Sequence, residues 1–220
     1  MATVIPLSDA SRRPRRFAIM TLLIVLVNVF VFLRELVEGD TFVGRWAVIP
    51  TEIMRGHGWI TLLTAMFMHA GWLHIIGNMV FLWAFGPEIE DAMGRFHYLA
   101  FYLLGGAVAM LAQVVGSANS TVPCLGASGA IAAVMGAFIV MYPRDRIKSL
   151  LIILIFVRIT FIPASLLIGV WFLIQLFNVG SVATVQTGGT AYLAHVGGFL
   201  YGALTARLWG GGRVSRGYGI

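Results

Sequence analysis

Phe17-Ala18-Ile19-Met20-Thr21-Leu22-Leu23-Ile24-Val25-Leu26-Val27-Asn28-Val29-Phe30-Val31-Phe32-Leu33 runs without one charged side chain, bounded by Arg15-Arg16 before it and Arg34-Glu35 after it. A helix crosses the hydrocarbon core of a bilayer with about 17–25 predominantly apolar residues, and this run has that length. Five more apolar runs follow, at Leu73–Phe85 extending to Glu88, Tyr98–Val115, Gly129–Tyr142, Ala164–Phe177 and Ala191–Trp209. Of the 220 residues 59% are hydrophobic and only 11% charged, and the mean hydropathy is +0.90. Water-soluble domains carry charge on about a quarter of their residues, so lipid rather than water must solvate this chain. The reading is an all-α polytopic membrane protein of six transmembrane helices with a long interfacial first loop.

The charges orient it. If the N-terminus is inside, the inner segments carry Arg12, Arg13, Arg15, Arg16, Arg95, Arg144, Arg146, Lys148, Arg158, Arg207, Arg213 and Arg216, and the outer ones only Arg34, Arg45 and Arg55. Twelve against three follows the rule that Lys and Arg stay cytoplasmic. Both termini are therefore expected in the cytoplasm, with residues 1–16 and 210–220 as polar tails around a membrane domain of residues 17–209. A cell-membrane location in a bacterium fits that layout. The net charge of +6 lies in short clusters beside apolar runs, which indicates membrane orientation and not nucleic-acid binding. The first run exceeds a signal-peptide h-region, and Arg34-Glu35 instead of a small-residue cleavage site follows it, so a retained anchor is expected. Cys124 is the single cysteine; it excludes an intramolecular disulfide and a Cys-based zinc site. The loop of residues 36–72 mixes Trp46, Trp59 and Trp72 with apolar runs, a composition suited to the membrane interface. Residues 116–127 and 179–190 are uncharged outer loops, and Leu150–Phe156, interrupted afterwards by Arg158 and Pro163, reads as a connector hugging the membrane.

Ionisable residues inside spans are costly and mark function by default. His69, His74 and Asn78 lie together at the start of the second run, and His74 and Asn78, four apart, share a helix face. His195 lies near the outer start of the sixth run with no charged neighbour in sequence. His57 and His97 sit in a loop and at an inner mouth, where solvation suffices. At about 1.5 Å rise per residue, Ser128, His195, His74 and Asn78 all stand roughly 15–21 Å above the inner ends of their helices. Small residues four apart, Gly198/Gly202 in the sixth run and Gly129/Ala133/Ala137 in the fourth, allow close helix approach in lipid. That packing would bring the helix of Ser128 against the helix of His195. Gly126-Ala127-Ser128-Gly129 places the serine at a loop-to-helix junction, where the helix N-terminus offers unpaired N–H groups to a developing oxyanion.

With these residues in view the chain resembles the rhomboid family over about residues 17–209. The resemblance rests on His69-x4-His74-x3-Asn78, Gly86-Pro87-Glu88-Ile89-Glu90 ahead of Gly94-Arg95, Tyr102-Leu103-Leu104-Gly105, Gly126-Ala127-Ser128-Gly129 and Ala194-His195-Val196-Gly197-Gly198, in that order. It implies the six-span prokaryotic form of an intramembrane serine protease. Ser128 would be the nucleophile and His195 its general base, a dyad without an aspartate. The Ser128 N–H, His74 and Asn78 would form the oxyanion hole, with His69, Gly126 and Gly129 in supporting roles. The implied substrates are single-span membrane proteins met within the lipid bilayer; no cofactor and no metal are implied.

Two positions depart from the family pattern. Relatives carry an aromatic one turn after the serine, stacked on the catalytic imidazole, where this chain has Ala132; the base is then held less rigidly, or another aromatic substitutes. An aromatic at Ala132 would have to fit near Gly197 and Gly198. Relatives also show Trp-Arg in the first loop where this chain has Trp59-Ile60. Two other functions stand beside the protease: a rhomboid-like pseudoenzyme that binds transmembrane helices, and a small-solute channel or transporter using His74, Asn78 and His195 as a polar path.

Overall fold

The computed structural model describes residues 2–182 and 191–210. In chain order it places strand β1 (Ala2–Asp9), helix α1 (Ile19–Glu38), three short helices α2 (Asp40–Trp46), α3 (Pro50–Met54) and α4 (Thr61–Thr64), then α5 (Trp72–Met93), α6 (Arg95–Gly116) and α7 (Ser128–Met141). A hairpin of β2 (Arg146–Ile153) and β3 (Phe156–Pro163) precedes α8 (Ala164–Val182) and α9 (Tyr192–Trp209). The long helices α1, α5, α6, α7, α8 and α9 coincide with the six apolar runs. By length and apolarity α1 and α6 can each cross a bilayer, and residues 61–67 with α5, bent by 94°, can form one more span. Helix α7 has 14 residues, and the apolar part of α8 covers Ala164–Val179. The protein is an integral membrane protein.

Helix α1 shows what lipid does to a sequence. Its buried residues are Thr21, Ile24, Asn28, Phe32 and Glu35, while Leu26, Phe30, Leu33 and Val37 are exposed. Polar groups at seven-residue spacing thus face the protein and apolar ones face outward, the reverse of a helix in water. Each buried polar residue has a partner. Asn28 Nδ2 donates to the Ile24 carbonyl at 2.7 Å, and Glu35 Oε2 accepts from the His69 N–H at 2.8 Å. Glu90 accepts from the N–H groups of Met20 (3.0 Å) and Thr21 (2.8 Å) and from the Thr21 hydroxyl (2.9 Å). A carboxylate from α5 therefore caps the otherwise unpaired N-terminus of α1. Gly86, one turn earlier, leaves room for this contact, since a Cβ there would lie 2.7 Å from the Tyr98 hydroxyl oxygen and 3.0 Å from Thr21.

Helix α7 is the centre of the molecule. Residues 129–138 and Met141 are buried, and α5, α6, α8 and α9 all pack on it. A helix apolar on every side belongs inside, and one that faces other helices all round need not match the bilayer thickness. Its tightest neighbour is α9. A Cβ on Gly198 would fall 2.1 Å from the Gly129 carbonyl oxygen, one on Gly202 1.9 Å from that of Ala133, and one on Gly136 2.2 Å from that of Phe199. The small residues singled out in the sequence are thus where the two backbones touch.

The description all-α needs correction: β1, β2 and β3 form one antiparallel sheet in the order β1-β2-β3, with Ile5 opposite Leu150 and Leu150 opposite Ile159. The expected membrane-hugging connector is the turn and flanks of the β2–β3 hairpin. The stretch is rich in β-branched residues, and Pro163 is tolerated because it ends an edge strand. The segment read as the start of a basic tail supplies β1. A charged cluster fastens it: Arg12 Nη2 donates to Asp145 Oδ1 at 2.9 Å, Arg12 Nε donates to Asp145 Oδ2, and the guanidinium lies 3.9 Å from the centre of the Tyr142 ring. Asp9 Oδ1 accepts from the Ser11 N–H at 2.7 Å. Burial pushes the Asp9 carboxyl up to about 7, with Asp145 adding to the shift, and Asp145 raises Arg12.

Residues 39–71 form α2, α3, α4 and a 3-10 turn at Ala65–Phe67. Val48, Ile53, Leu62 and Ala65 bury against Met110 and Val114 of α6, and Val48 pairs with Cys124 across an isolated antiparallel bridge. Trp59 and Ile60 are exposed. The expected outer loop of residues 179–190 lies largely outside the described residues, as do residues 211–220 of the C-terminal tail.

Candidate active site

Ser128 is the first residue of α7, where the helix N–H groups lack intrahelical acceptors. His195 lies in the first turn of α9, whose start is tied to α6 because the Ala194 N–H donates to Gln113 Oε1 at 3.3 Å. The glycine contacts between α7 and α9 fix the separation of the two side chains. His195 Nε2 lies 2.7 Å from Ser128 Oγ, a hydrogen-bond distance between a hydroxyl and an imidazole. The His195 side chain is buried.

His74 and Asn78 approach from α5. The Ala70 N–H donates to His74 Nδ1 at 3.3 Å, which leaves the hydrogen on Nε2. That nitrogen points toward the serine side: a Cβ built on Gly126 would sit 3.1 Å from it and 3.7 Å from Ser128 Oγ. Gly126 also has φ +134°, a conformation open to glycine and rarely to other residues. Asn78 is buried, and among the described residues its Nδ2 has no hydrogen-bond partner. Unsatisfied buried donors are rare enough to require a reason, and a donor awaiting an oxygen is one. His69 stands behind His74, with ring centroids 5.1 Å apart at 70°, and its other side meets Phe32 edge-on at 6.5 Å. It touches the histidine that lies against Gly126. Gly129 is at the α7–α9 contact, facing Ala109 of α6 and Ala194. Ser128, His195, His74, His69, Gly126 and Gly129 thus gather at one end of α7, and Asn78 follows His74 by one turn on α5.

A family model for the rhomboid domain matches residues 56–211. The chain belongs to the rhomboid family. Relatives include the rhomboid protease GluP of Bacillus subtilis, 33% identical over 129 residues, which are 57% of this chain and 25% of that protein. Rhomboid protein 1, mitochondrial, of Saccharomyces cerevisiae is 26% identical over 185 residues, 81% of this chain and 49% of the relative. The human presenilin-associated rhomboid-like protein, mitochondrial, is 33% identical over 88 residues, 39% of this chain and 23% of its own length. The chain thus spans about a quarter to a half of these relatives. They come from a bacterium and from mitochondria, so they lend no support to a bacterial cell membrane in particular. Rhomboid membership carries two functional possibilities, intramembrane proteolysis and the binding of membrane helices without cleavage.

Three residues at the site were not among the sequence candidates. Gln175 and Trp171, one turn apart on α8, both reach His195. Gln175 Oε1 lies 2.8 Å from His195 Nδ1, and the Trp171 ring centroid is 5.7 Å from that of the imidazole at 41°. Tyr192 meets the same ring edge-on at 6.3 Å. The aromatic absent at Ala132 is therefore supplied from another helix. There is no space for it at Gly197 and Gly198, where a Cβ would already fall 2.5 Å from Ala112 and 2.1 Å from the Gly129 carbonyl oxygen. The available signal was a lone glutamine inside the fifth apolar run, with a tryptophan four residues before it.

Proposed function

We propose that this chain is an intramembrane serine endopeptidase that hydrolyses peptide bonds in or near the transmembrane segments of single-span membrane proteins. The observation that carries the reading is the 2.7 Å contact of Ser128 Oγ with His195 Nε2; His74 lies across Gly126 from the serine, and Asn78 is one turn further along α5. Ser128 Oγ attacks the scissile carbonyl carbon while His195 Nε2 takes its proton. The carbonyl oxygen becomes an oxyanion, met by the Ser128 N–H, His74 Nε2–H and Asn78 Nδ2–H. His195 then gives the proton to the leaving amine, the C–N bond breaks, and an ester joins the substrate to Ser128. Water, deprotonated by the same nitrogen, attacks the ester and releases the acid and the free serine.

The proposal includes six spans, both termini on the cytoplasmic side and Ser128 toward the outer side. Three features support that arrangement: the asymmetry of Lys and Arg, the six helices at the six runs, and the pairing of β1 with β2, which sets the N-terminal segment beside the α7–α8 connector.

Detergent-purified protein exposed to a fluorophosphonate probe tests the chemistry. Wild type should label at Ser128, whereas folded Ser128→Ala and His195→Ala should not. Labelling that survives in Ser128→Ala, or folded wild type that never labels and cleaves no membrane substrate, overturns the reading in favour of a helix-binding or transport role.

A further inference from the structure

A histidine can serve as base to Ser128 only if Nε2 bears the lone pair, so the hydrogen of the neutral ring must be on Nδ1. In serine hydrolases built as triads a carboxylate secures that tautomer. Among the described residues no carboxylate hydrogen-bonds His195. The groups that face it are Ser128 from α7, Gln175 and Trp171 from α8, Tyr192 from its own helix, and His74 from α5.

Gln175 has its two amide ends committed. Its Nε2 donates to the Trp171 carbonyl at 3.2 Å, and its Oε1 faces His195 Nδ1 at 2.8 Å. Rotating the amide by half a turn would set the amide oxygen against the Trp171 carbonyl oxygen, two acceptors with no hydrogen between them. The amide oxygen therefore stays toward the ring, and an oxygen at 2.8 Å requires a hydrogen on Nδ1. The lone pair is left on Nε2, aimed at the Ser128 hydroxyl. Both Gln175 and His195 are buried, at 6% and 7% exposure, so water does not compete well for either bond. Trp171 covers the imidazole from the same face of α8 and restricts its rotation.

We infer that Gln175 is a positioning residue that, held by the Trp171 carbonyl, sets the tautomer of His195 and makes α8 a structural part of the reactive centre. The inference rests on the protease reading of Ser128 and His195, and it assigns the place of the missing aspartate to a neutral amide. An amide accepts the Nδ1 hydrogen without bringing a charge into a site surrounded by lipid.

The test combines turnover with a spectroscopic reading of the ring. In protein with 15N-labelled histidine, the His195 signals are identified by their loss in His195→Ala. The wild-type spectrum should show a protonated Nδ1 and a bare Nε2. Gln175→Met keeps the length of the side chain and removes the acceptor. It should let the Nε2–H form appear and lower kcat by about 10–100-fold at nearly constant KM, a part of the ~10²–10⁴ that a general base contributes. Gln175→Glu should restore most of the rate and the wild-type spectrum, because its neutral carboxyl can donate to the Trp171 carbonyl and accept from Nδ1. A wild-type spectrum with the hydrogen on Nε2 overturns the assignment, even where a variant fails to fold. So does a folded Gln175→Met with unchanged turnover and an unchanged spectrum. The spectrum is independent of turnover, so an inactive wild type with a protonated Nδ1 would refute the protease reading and leave the role of Gln175 in setting the tautomer standing.

Discussion

A single donor with nothing to bind is the most informative atom of the site at the residue scale. Asn78 Nδ2 is buried and, among the described residues, unpaired, and leaving such a group unsatisfied costs about 1–3 kcal/mol. An oxyanion formed at Ser128 would satisfy it, and that charge exists only along the reaction path. Asn78→Ala should therefore lower kcat by about 10²–10³ and change substrate affinity little, with weak cleavage surviving through His74 and the helix N–H groups. A collapse of affinity with normal turnover of bound substrate would make Asn78 a ground-state contact. Residues of this kind were legible in the sequence because each breaks a local rule: Ser128, His195, His74 and Asn78 are polar where lipid disfavours polarity, and Gly126 and Gly129 flank the serine. Gln175 breaks the same rule, yet nothing in the sequence links it to the site. Its partner is 20 residues away on another helix, and no motif ties a glutamine in an apolar run to a histidine at that distance.

At the scale of elements, helices were legible and strands were not. An apolar run of span length has one solution in lipid, because every backbone group must be satisfied within the segment. The apolar stretch Leu150–Phe156 is too short to span, and β2, which holds most of it, pairs not only with the neighbouring β3 but also with β1, some 140 residues earlier in the chain. Pairing across that separation leaves no periodic trace that a membrane run would not also leave. The short helices of residues 39–71 were hidden for a related reason, since their apolar residues bury against α6.

The clamp on β1 has its own pH dependence. Asp9 and Asp145 share Arg12 in a partly dry cluster that Glu88 of α5 also faces, and the Asp9 carboxyl is raised from 3.8 to about 7. Between those values the folded state holds a proton that the unfolded state has lost, so the stability of the docked strand falls as pH rises through that window. Hydrogen exchange across residues 3–9, corrected for intrinsic rate, should show protection declining from pH 5 to a plateau above about 7. Asp9→Asn, which cannot ionise, should flatten the profile and raise protection at pH 8. A wild-type profile that is already flat would remove Asp9 from that role.

For the whole molecule the question is which end of α7 faces which compartment. Ser128 is at the N-terminal end, with residues 117–127 leading into it. At the other end Tyr142 and Asp145 meet Arg12, and β1 joins β2. The fold thus gathers the N-terminal segment and the α7–α8 connector at one pole, and these hold eight of the twelve basic residues counted as cytoplasmic, Arg12, Arg13, Arg15, Arg16, Arg144, Arg146, Lys148 and Arg158. Moving that pole through a membrane would carry all eight across together. Lys and Arg near span ends are what the insertion machinery retains on the inside, so the expectation is that this pole stays in the cytoplasm. Single cysteines in a Cys124→Ser background test it without altering any charge. Asn119→Cys and Pro143→Cys fall on exposed turns at opposite ends of α7. In intact cells a membrane-impermeant maleimide should modify the first and reach the second only after permeabilisation. Modification of Pro143→Cys from outside, with Asn119→Cys protected, would invert the molecule and put its reactive mouth in the cytoplasm.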